Sequence, residues 1–304
     1  MEQDKSIQSY EQAAAVLPAR LRKAALGESR AHKAQAEEFR LRTGYPMTIL
    51  LPSGELDTGV FVEQTDIETL CNLATEFSRY AAVETLRRGY LPIRGGGRVG
   101  LCGSAVMKDG GCFNLKDFSS AAIRIPREKQ GVGESVAPLL FQEGRFCSTV
   151  ILSPPGGGKT TLLRDLIRCL SAGGADFPGL RVSLADERGE VAVLYQGTPQ
   201  MDVGPRTDVL DGCPKAEAVP MLLRAMNPQV IAVDEITLRE DLTAMAMAAN
   251  CGVGLLATIH AGSIPELLQK PLYEELLTAR VFSRAVVILR EKGTRRYQVE
   301  ELPC

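Results

Sequence analysis

One stretch constrains this chain more than any other feature: residues 153–161 read Ser-Pro-Pro-Gly-Gly-Gly-Lys-Thr-Thr, between an apolar run and a helix-forming run. Glycines let successive backbone N–H groups turn inward around an anion, and the N-terminus of the following helix adds its positive end. In such a loop the lysine reaches the β- and γ-phosphates of ATP, and the next hydroxyl binds Mg²⁺. The stretch therefore predicts an ATP site, with Thr160 as a metal ligand, formed by Ser153, Pro154, Pro155, Gly156, Gly157, Gly158, Lys159, Thr160 and Thr161.

The first position of this loop departs from the usual pattern. A phosphate-binding loop G-x-x-x-x-G-K-[ST] begins with glycine, and this chain has Ser153 there. We expect serine to take the turn with some backbone strain. The alternative is a glycine-rich strand-to-helix turn with an incidental lysine. The apolar strand, the helix and the Lys-Thr-Thr ending together favour the phosphate site.

Short apolar runs alternate with helical stretches from Phe146 onward. Such alternation predicts an α/β domain whose parallel sheet is buried on both faces. The runs are 149–153, 181–185, 230–233, 254–258 and 284–289. The last run and the segment after it predict a terminal hairpin turning at Lys292 and Gly293.

The residues before this region have a mixed pattern that predicts a smaller α+β domain. We place that N-terminal domain at 1–130, a polar, glycine-containing linker at 131–144 and the phosphate-loop domain at 145–304. Elements predicted within the first domain are an amphipathic helix at 17–26, a helix opened by a capping box of Thr65 and Glu68, a short helix around 80–88, a hairpin about residues 95–97 and a strand at 121–125.

Two carboxylates follow the apolar run at 230–233. Ligands of open α/β sheets bind at the carboxyl ends of the strands, so Asp234 and Glu235 are predicted at the ligand edge. Asp234 would hold Mg²⁺ through water, and Glu235 could act as the general base on the attacking water. The alternative is a strand that ends in solvated acids, and alone the motif is common. About 75 residues after a phosphate loop, the functional reading is favoured.

Three further candidates lie near predicted strand ends. Glu187 follows the run at 181–185, and a solvated strand end is as good an explanation as a catalytic role. His260 follows the run at 254–258 and, with Thr258, would face the γ-phosphate; a structural imidazole is the alternative. Arg206 lies in a Gly- and Pro-containing segment, and its guanidinium suits a phosphate contact in cis or from a neighbouring subunit. The alternative is that this segment is an ordinary surface loop.

Composition limits the partners and the cellular compartment expected for such a site. With 35 Lys and Arg against 37 Asp and Glu, the net charge of −2 gives no sign of a nucleic-acid or anionic-membrane surface. The eight cysteines lack metal-site spacing and fit a reducing cytosol. The polar first residues predict no secretory signal, and the uncharged stretch at 244–259 predicts a buried helix, a turn and a buried strand instead of a membrane span.

The stretches LLRAMNPQVIAVDEI and AANCGVGLLATIHAGS resemble the Walker B and histidine boxes of the secretion and pilus-motor ATPases. That resemblance implies a RecA-like core, in which the strand after Walker B lies between the Walker A and Walker B strands. Asp234 stands where those motors usually have glycine. In their acidic box this chain has ADERGE, which leaves open whether Glu187 or Glu190 matches their catalytic glutamate.

Another set of segments resembles the stage III sporulation AA family of endospore-forming bacteria. These segments are GGGRVGLCGSAV, FSSAAIRI, PGGGKTTLLRD, ADERGEVA, VGPRTDVLDGCPKAEAV and NPQVIAVDEI, and the matches run from about Phe39 to the end of the chain. The resemblance implies an ATPase of the mother-cell cytoplasm, peripheral to the septal membrane. It would form a homo-oligomeric ring, with a hexamer as the candidate, and would act with membrane-embedded stage III sporulation proteins.

Together these observations predict an ATP-hydrolysing motor of the secretion-ATPase type that energises a membrane channel complex during endospore formation. Two alternatives remain: an ATP-binding switch or scaffold with negligible turnover, and a RecA-like nucleic-acid motor. Two acidic candidates for the base favour hydrolysis. The near-neutral charge and the lack of a basic, aromatic stripe weigh against nucleic acid.

Overall fold

A computed structural model describes residues 2–76, 89–108, 111–270, 273, 280–291 and 294–302. The chain divides into two compact units. The first consists of Met1–Arg127 with Tyr195–Gln200, and the second of Glu128–Leu194 with Met201–Cys304. The helix predicted around 80–88 and the turn predicted at Lys292 and Gly293 lie outside the described residues.

The first unit contains an antiparallel sheet on which helices pack. Its described helices are α1 (Glu2–Ala14), α2 (Ala19–Leu26), α3 (Arg30–Gln35) and α4 (Gln64–Ala74). Its strands are β1 (Glu38–Arg42), β2 (Pro46–Leu51), β3 (Gly54–Phe61), β4 (Tyr90–Pro92), β5 (Arg98–Lys108) and β6 (Gly111–Arg124). The six described strands follow the order β3-β2-β1-β6-β5-β4, with antiparallel neighbours throughout. This is the predicted α+β pattern.

The core of this unit lies between the helices and one face of the sheet. The Tyr10 hydroxyl of α1 donates to the Ala25 carbonyl of α2 over 2.8 Å, and the Tyr10 ring packs edge-on against Phe39 of β1. The amphipathic helix predicted at 17–26 is present as α2. The predicted hairpin is present as β4 and β5, with Leu91 opposite Val99.

The capping box predicted at Thr65 and Glu68 is wrong by two positions. Helix α4 begins at Gln64, so the N-cap is Glu63 and the third helical residue is Asp66. The Asp66 carboxylate accepts the Glu63 backbone N–H over 2.7 Å and also accepts from Arg20 at 2.7 Å. A buried carboxylate with an arginine partner fixes where this helix begins.

The second unit alternates strands and helices. The elements from residue 141 onward are β7 (Phe141–Gln142), β8 (Arg145–Phe146), β9 (Thr149–Leu152), α5 (Lys159–Ala172), β10 (Val182–Asp186), β11 (Leu194–Tyr195), β12 (Thr198–Pro199), β13 (Thr207–Asp211), α6 (Lys215–Met226), β14 (Val230–Glu235), α7 (Arg239–Asn250), β15 (Gly254–Ile259), α8 (Ile264–Leu268), β16 (Arg284–Glu291) and β17 (Thr294–Glu301). The short β11–β12 hairpin has its tip, Tyr195–Gln200, in the first unit.

The main sheet of this unit follows the order β13-β10-β14-β15-β9-β16-β17 among the described strands. Neighbours from β13 to β16 run parallel, and β17 closes the sheet as the antiparallel arm of a hairpin. As the resemblance to motor ATPases predicts, β15 lies between β14 and β9, the strand that leads into the loop at 153–158. This order brings the carboxyl ends of β9, β14 and β15 together.

Both faces of the sheet are covered. Val150 of β9 packs into a cluster with α6 and α7, and the next residue, Ile151, packs into a second cluster with α5. This alternation explains why the strands read as fully apolar runs. The stretch predicted at 244–259 as helix, turn and strand is the end of α7, a turn and β15. No helix among the described residues is long and apolar enough to cross a membrane.

The segment 131–144, for which the sequence predicts a linker, is part of the second unit. A 3₁₀ helix at Ala137–Leu140 lies within it, and Val136, Ala137 and Leu140 are buried in the cluster that contains α5. Because only a few apolar side chains anchor this polar segment, its composition resembles that of a linker. The chain crosses between units at Arg127 and Glu128 instead.

Candidate active site

The loop at residues 153–158 joins β9 to α5 and has the backbone that an anion site requires. Gly156 and Gly158 have φ of +72° and +100°, which favour glycine. A Cβ on Gly157 would lie 1.6 Å from the Ser153 Oγ, so the serine side chain occupies the space that a side chain at 157 would need. Ser153 is 1% exposed and does not have a positive φ, so the expected strain at this position is absent.

Lys159 opens helix α5 and is buried, with 7% of the residue exposed. Its ammonium donates to the Ser153 carbonyl over 3.1 Å, and its Nζ lies 2.6 Å from the Nδ1 of His260. Burial lowers the pKa of Lys159, and the charges of Glu235 and Asp234 oppose that shift. The lysine of the loop therefore points toward the acids at the sheet edge.

His260 connects this lysine to Glu235 at the end of β14. Its Nε2 lies 2.8 Å from the Oε1 of Glu235. Since an ammonium can only donate, the Nδ1 of His260 accepts from Lys159, and the ring proton faces Glu235 from Nε2. The structure thus brings Lys159, His260 and Glu235 into one hydrogen-bonded chain, which we call the Lys-His-Glu chain.

Asp234 lies beside this chain in a setting that disfavours its charge. Burial raises the pKa of Asp234 to about 6, and the neighbouring carboxylates of Asp186, Glu190 and Glu235 add to the rise. On the next strand the Thr258 hydroxyl is fully buried and, within the described part of the chain, has no hydrogen-bond partner. This edge of the sheet therefore holds the buried Asp234 carboxylate and the buried Thr258 hydroxyl.

These features fit Mg²⁺, which prefers oxygen ligands. In the described ranges, no cluster of three or more His, Cys, Asp and Glu side chains could hold a metal by itself. Magnesium commonly uses one or two protein oxygens together with substrate phosphates. Thr160 at the start of α5 and Asp234 at the end of β14 are the residues that would supply such oxygens. An ion there would depend on the nucleotide for its remaining ligands.

The acidic box divides into an anchoring residue and a paired residue. The fully buried Asp186 carboxylate accepts the backbone N–H groups of Glu190, Val191 and Ala192 at 2.9–3.2 Å and so holds the loop after β10. Glu187 forms an ion pair with the buried Lys215 of α6. In this arrangement Glu187 is engaged by a lysine, whereas Glu235 is engaged by His260.

Arg206 is not brought to the phosphate loop of its own chain. Its guanidinium donates to the carbonyls of Ser171 and Ala172 over 2.8 and 3.3 Å, at the C-terminal end of α5. Its backbone N–H donates to the Ser171 hydroxyl over 2.6 Å. The loop and Lys159 are at the opposite end of the same helix.

Sequence reasoning missed two basic residues near the site. Lys215 holds Glu187, and nothing in the sequence around it predicts this contact, which depends on the packing of α6 beside β10. Arg295 of β17 lies against Gly158 of the loop. The sequence feature that could have pointed to Arg295 is the cluster of arginines in the terminal hairpin, whose first strand pairs with the strand that enters the loop.

A family model and a curated relative both match most of the chain. The family model "Sporulation stage III, protein AA" matches residues 7–299. The chain belongs to this family. Stage III sporulation protein AA of Bacillus subtilis (strain 168) is 38% identical over 259 residues, which are 85% of this chain and 84% of that protein. The family resemblance predicted from the sequence is confirmed.

Solved structures share the fold. The pilus retraction motor PilT, solved with bound ADP, matches with a TM-score of 0.59 and 16% identity over 88% of this chain and 80% of that one. The ATPase DotB of Yersinia pseudotuberculosis matches with a TM-score of 0.57 and 14% identity over 90% and 76%. The predicted fold class, a RecA-like P-loop core with an N-terminal α+β domain, is confirmed.

Proposed function

We propose that this protein binds ATP with Mg²⁺ at Ser153–Thr161 and hydrolyses it, as a motor of the secretion-ATPase type. The observation that carries this proposal is the Lys-His-Glu chain, which connects the lysine of the phosphate loop to a carboxylate at the ligand edge of the sheet. The relatives in fold are named as a pilus retraction motor and an ATPase, which supports the same activity.

In this proposal the loop binds the phosphates of ATP through its inward backbone N–H groups and the start of α5. Lys159 leaves His260 and pairs with the β- and γ-phosphates. Thr160 and, through water, Asp234 hold Mg²⁺, which neutralises charge on the phosphate oxygens when it is bound.

Glu235 acts as the general base on the attacking water. The Nε2–H of His260 donates to Glu235 and orients its carboxylate. Arg188, whose guanidinium lies 3.7 Å from Glu235, stabilises the negative charge on that carboxylate. Glu187 is the alternative base. Its carboxylate is engaged by the ion pair with Lys215, which favours Glu235 as the base. Once Lys159 has moved to the phosphates, the Nδ1 of His260 has lost its donor, and protonated there it would donate to a γ-phosphate oxygen.

The first test is ATP turnover by the purified full chain at saturating ATP and Mg²⁺. Lys159→Ala should abolish turnover and retain a cooperative unfolding transition, because the side chain lies in the site and the apolar core does not depend on it. Lys129→Ala, which removes an exposed lysine, is the matched control and should keep wild-type turnover. Near wild-type hydrolysis by Lys159→Ala would show that the loop assignment is wrong.

The same assay separates the alternatives. A chain that binds ATP with wild-type Lys159 but shows negligible turnover would be the switch or scaffold. Turnover that rises several-fold on addition of DNA or RNA would indicate a nucleic-acid motor. The proposed channel motor should hydrolyse ATP without nucleic acid.

We further propose a homo-oligomeric ring, with a hexamer as the candidate, that works from the mother-cell cytoplasm at the septal membrane. Its partners would be membrane-embedded stage III sporulation proteins, and Arg206 would reach the ATP of a neighbouring subunit. Membership of the sporulation family and the likeness to motor ATPases support this assembly. Pull-down from sporulating cells, with Lys159→Ala as bait control, should recover membrane proteins of that group.

A further inference from the structure

Arg295 lies at the phosphate loop although it is far from the loop in sequence. Strand β16 pairs in parallel with β9, the strand that enters the loop, and β17 follows as its hairpin partner. A Cβ built on Gly158 would lie 2.7 Å from the Arg295 Cζ and 2.9 Å from its Nε. The guanidinium therefore packs on the loop backbone one residue before Lys159.

The positive charge of this guanidinium is not neutralised by the residues the structure describes. None of them accepts a hydrogen bond from the Arg295 side chain or forms an ion pair with it, and the first turn of α5 has no acidic residue. Arg290 lies directly across the hairpin from Arg295, and both are exposed. Like charges opposite each other destabilise a strand pair, so this arrangement favours a bound anion.

We propose that Arg295 binds the diphosphate group that ATP and ADP share. This proposal rests on the proposed function and adds a second side-chain cation to the same site. A guanidinium presents a planar fork of donors that matches phosphate oxygens, and charge-assisted hydrogen bonds of this kind are strong. The side chain comes from the same subunit as the loop.

The position of Arg295 also predicts what it does not do. It contacts the loop at Gly158 and is not part of the Lys-His-Glu chain. An interaction present in both the ATP and ADP complexes acts on ground-state binding, so its loss raises KM and leaves kcat nearly unchanged. This separates Arg295 from an arginine finger, whose loss lowers kcat.

The test measures the affinity of the full chain for ADP with Mg²⁺ by calorimetry. Arg295→Ala should weaken ADP binding roughly 10- to 100-fold, the range of one or two charge-assisted hydrogen bonds. Arg296→Ala is the matched control, because it removes the same charge from the next residue, on the other face of the strand. It should bind ADP within about twofold of wild type.

Arg295→Lys is the second variant. It keeps the charge without the fork and should show an intermediate loss, so it decides the matter if the alanine variant does not fold. Inorganic pyrophosphate is then used as a competitor, because it has neither base nor ribose. Pyrophosphate should compete less well in Arg295→Ala by about the same factor as ADP.

The outcomes are distinguishable. If wild-type protein does not bind ADP, the proposed function itself fails. If wild type binds ADP and Arg295→Ala binds it equally well, the role of Arg295 is overturned and the ATP site stands. If ADP binding weakens but pyrophosphate competition does not, the contact is to the base or ribose, and the phosphate assignment is wrong.

Discussion

Lys159, His260 and Glu235 share two hydrogen bonds, and this arrangement determines where their protons lie. With the Lys159 ammonium as donor, His260 accepts at Nδ1 and donates from Nε2 to Glu235. A phosphate that draws Lys159 away removes the donor from Nδ1. In the proposed function, ATP binding would therefore leave Nδ1 without its donor while Nε2 still bonds Glu235, and the ring would connect the arrival of nucleotide to the base.

The two candidate bases can be separated by isosteric substitutions. Glu235→Gln should keep ATP bound and lower turnover by about 10²–10⁴, because an amide cannot accept the proton of water. Glu187→Gln should retain most of the activity, since Glu187 pairs with Lys215. Turnover and ATP affinity are measured on both variants in parallel. A dead Glu187→Gln with an active Glu235→Gln would assign the base to the acidic box.

At the scale of elements, the loop after β10 depends on Asp186. Its carboxylate accepts three consecutive backbone N–H groups in a fully buried position. Asp186→Ala would leave these donors without a partner, and we expect the free energy of unfolding to fall by roughly 3 kcal/mol. Urea denaturation measures this change.

Glu190→Ala is the control for that experiment. Its side chain is exposed and its backbone N–H keeps the bond to Asp186, so its stability should stay within about 0.5 kcal/mol of wild type. Equal stability of the two variants would show that Asp186 does not hold the loop. The sequence offered a catalytic or a solvated acid at this strand end, and the structure shows an anchoring one.

Arg206 belongs to the C-terminal end of helix α5, and two roles for it give different results. As a finger acting on a neighbouring subunit, Arg206→Ala should lower turnover about 10³–10⁵-fold and spare ATP affinity. Mixing it with Lys159→Ala subunits should then restore activity at mixed interfaces. If mixing restores nothing and only stability falls, by about 1 kcal/mol, its bonds to Ser171 and Ala172 are its whole role.

The parallel sheet and the glycine-rich turn at 153–158 could be predicted because both are local in sequence. A strand buried on both faces is a short apolar run, and the loop needs its glycines and Lys159 in consecutive order. The contact between Lys159 and His260 spans 101 positions and depends on the order of strands in the sheet. His260 was therefore predicted near the phosphate, but its bonds to Lys159 and Glu235 were not.

Other features escaped prediction because the competing signal was weak. In the segment 131–144 the buried Val136 and Leu140 are surrounded by polar and glycine residues, so composition suggested a linker. The start of α4 is set by the contact of Asp66 with Arg20, which comes from another helix. Such contacts arise from tertiary packing, and one sequence does not reveal them.

For the whole molecule, the division into units is not a division into two consecutive pieces of chain. Tyr195–Gln200 belongs to the first unit, where the Tyr195 hydroxyl and the Gln196 amide both donate to Glu76, at 2.6 and 2.9 Å. The Gln200 side chain accepts the Gly95 N–H over 2.7 Å. The first unit is therefore completed by residues that follow the acidic box.

A single cut between Arg127 and Glu128 should accordingly leave the protein in one piece. With a protease site inserted there, the two fragments should co-elute in size-exclusion chromatography after cleavage, because residues 195–200 remain packed in the first unit. The same cut combined with Glu76→Ala and Gln200→Ala should weaken this association. Fragments that separate after the first cut alone would contradict the discontinuous unit.

Because Tyr195–Gln200 belongs to the first unit, that unit cannot be completed early during synthesis on the ribosome. Domains generally fold from the N-terminus as they are made, at about 5–20 residues per second. Here the first unit is still missing its last segment when Arg127 emerges, and it must wait for roughly 70 further residues, about 4–15 s of synthesis. By then the phosphate loop and β10 have already been made. The N-terminal unit begins the chain and can be completed only after β9, α5 and β10 of the second unit have been made.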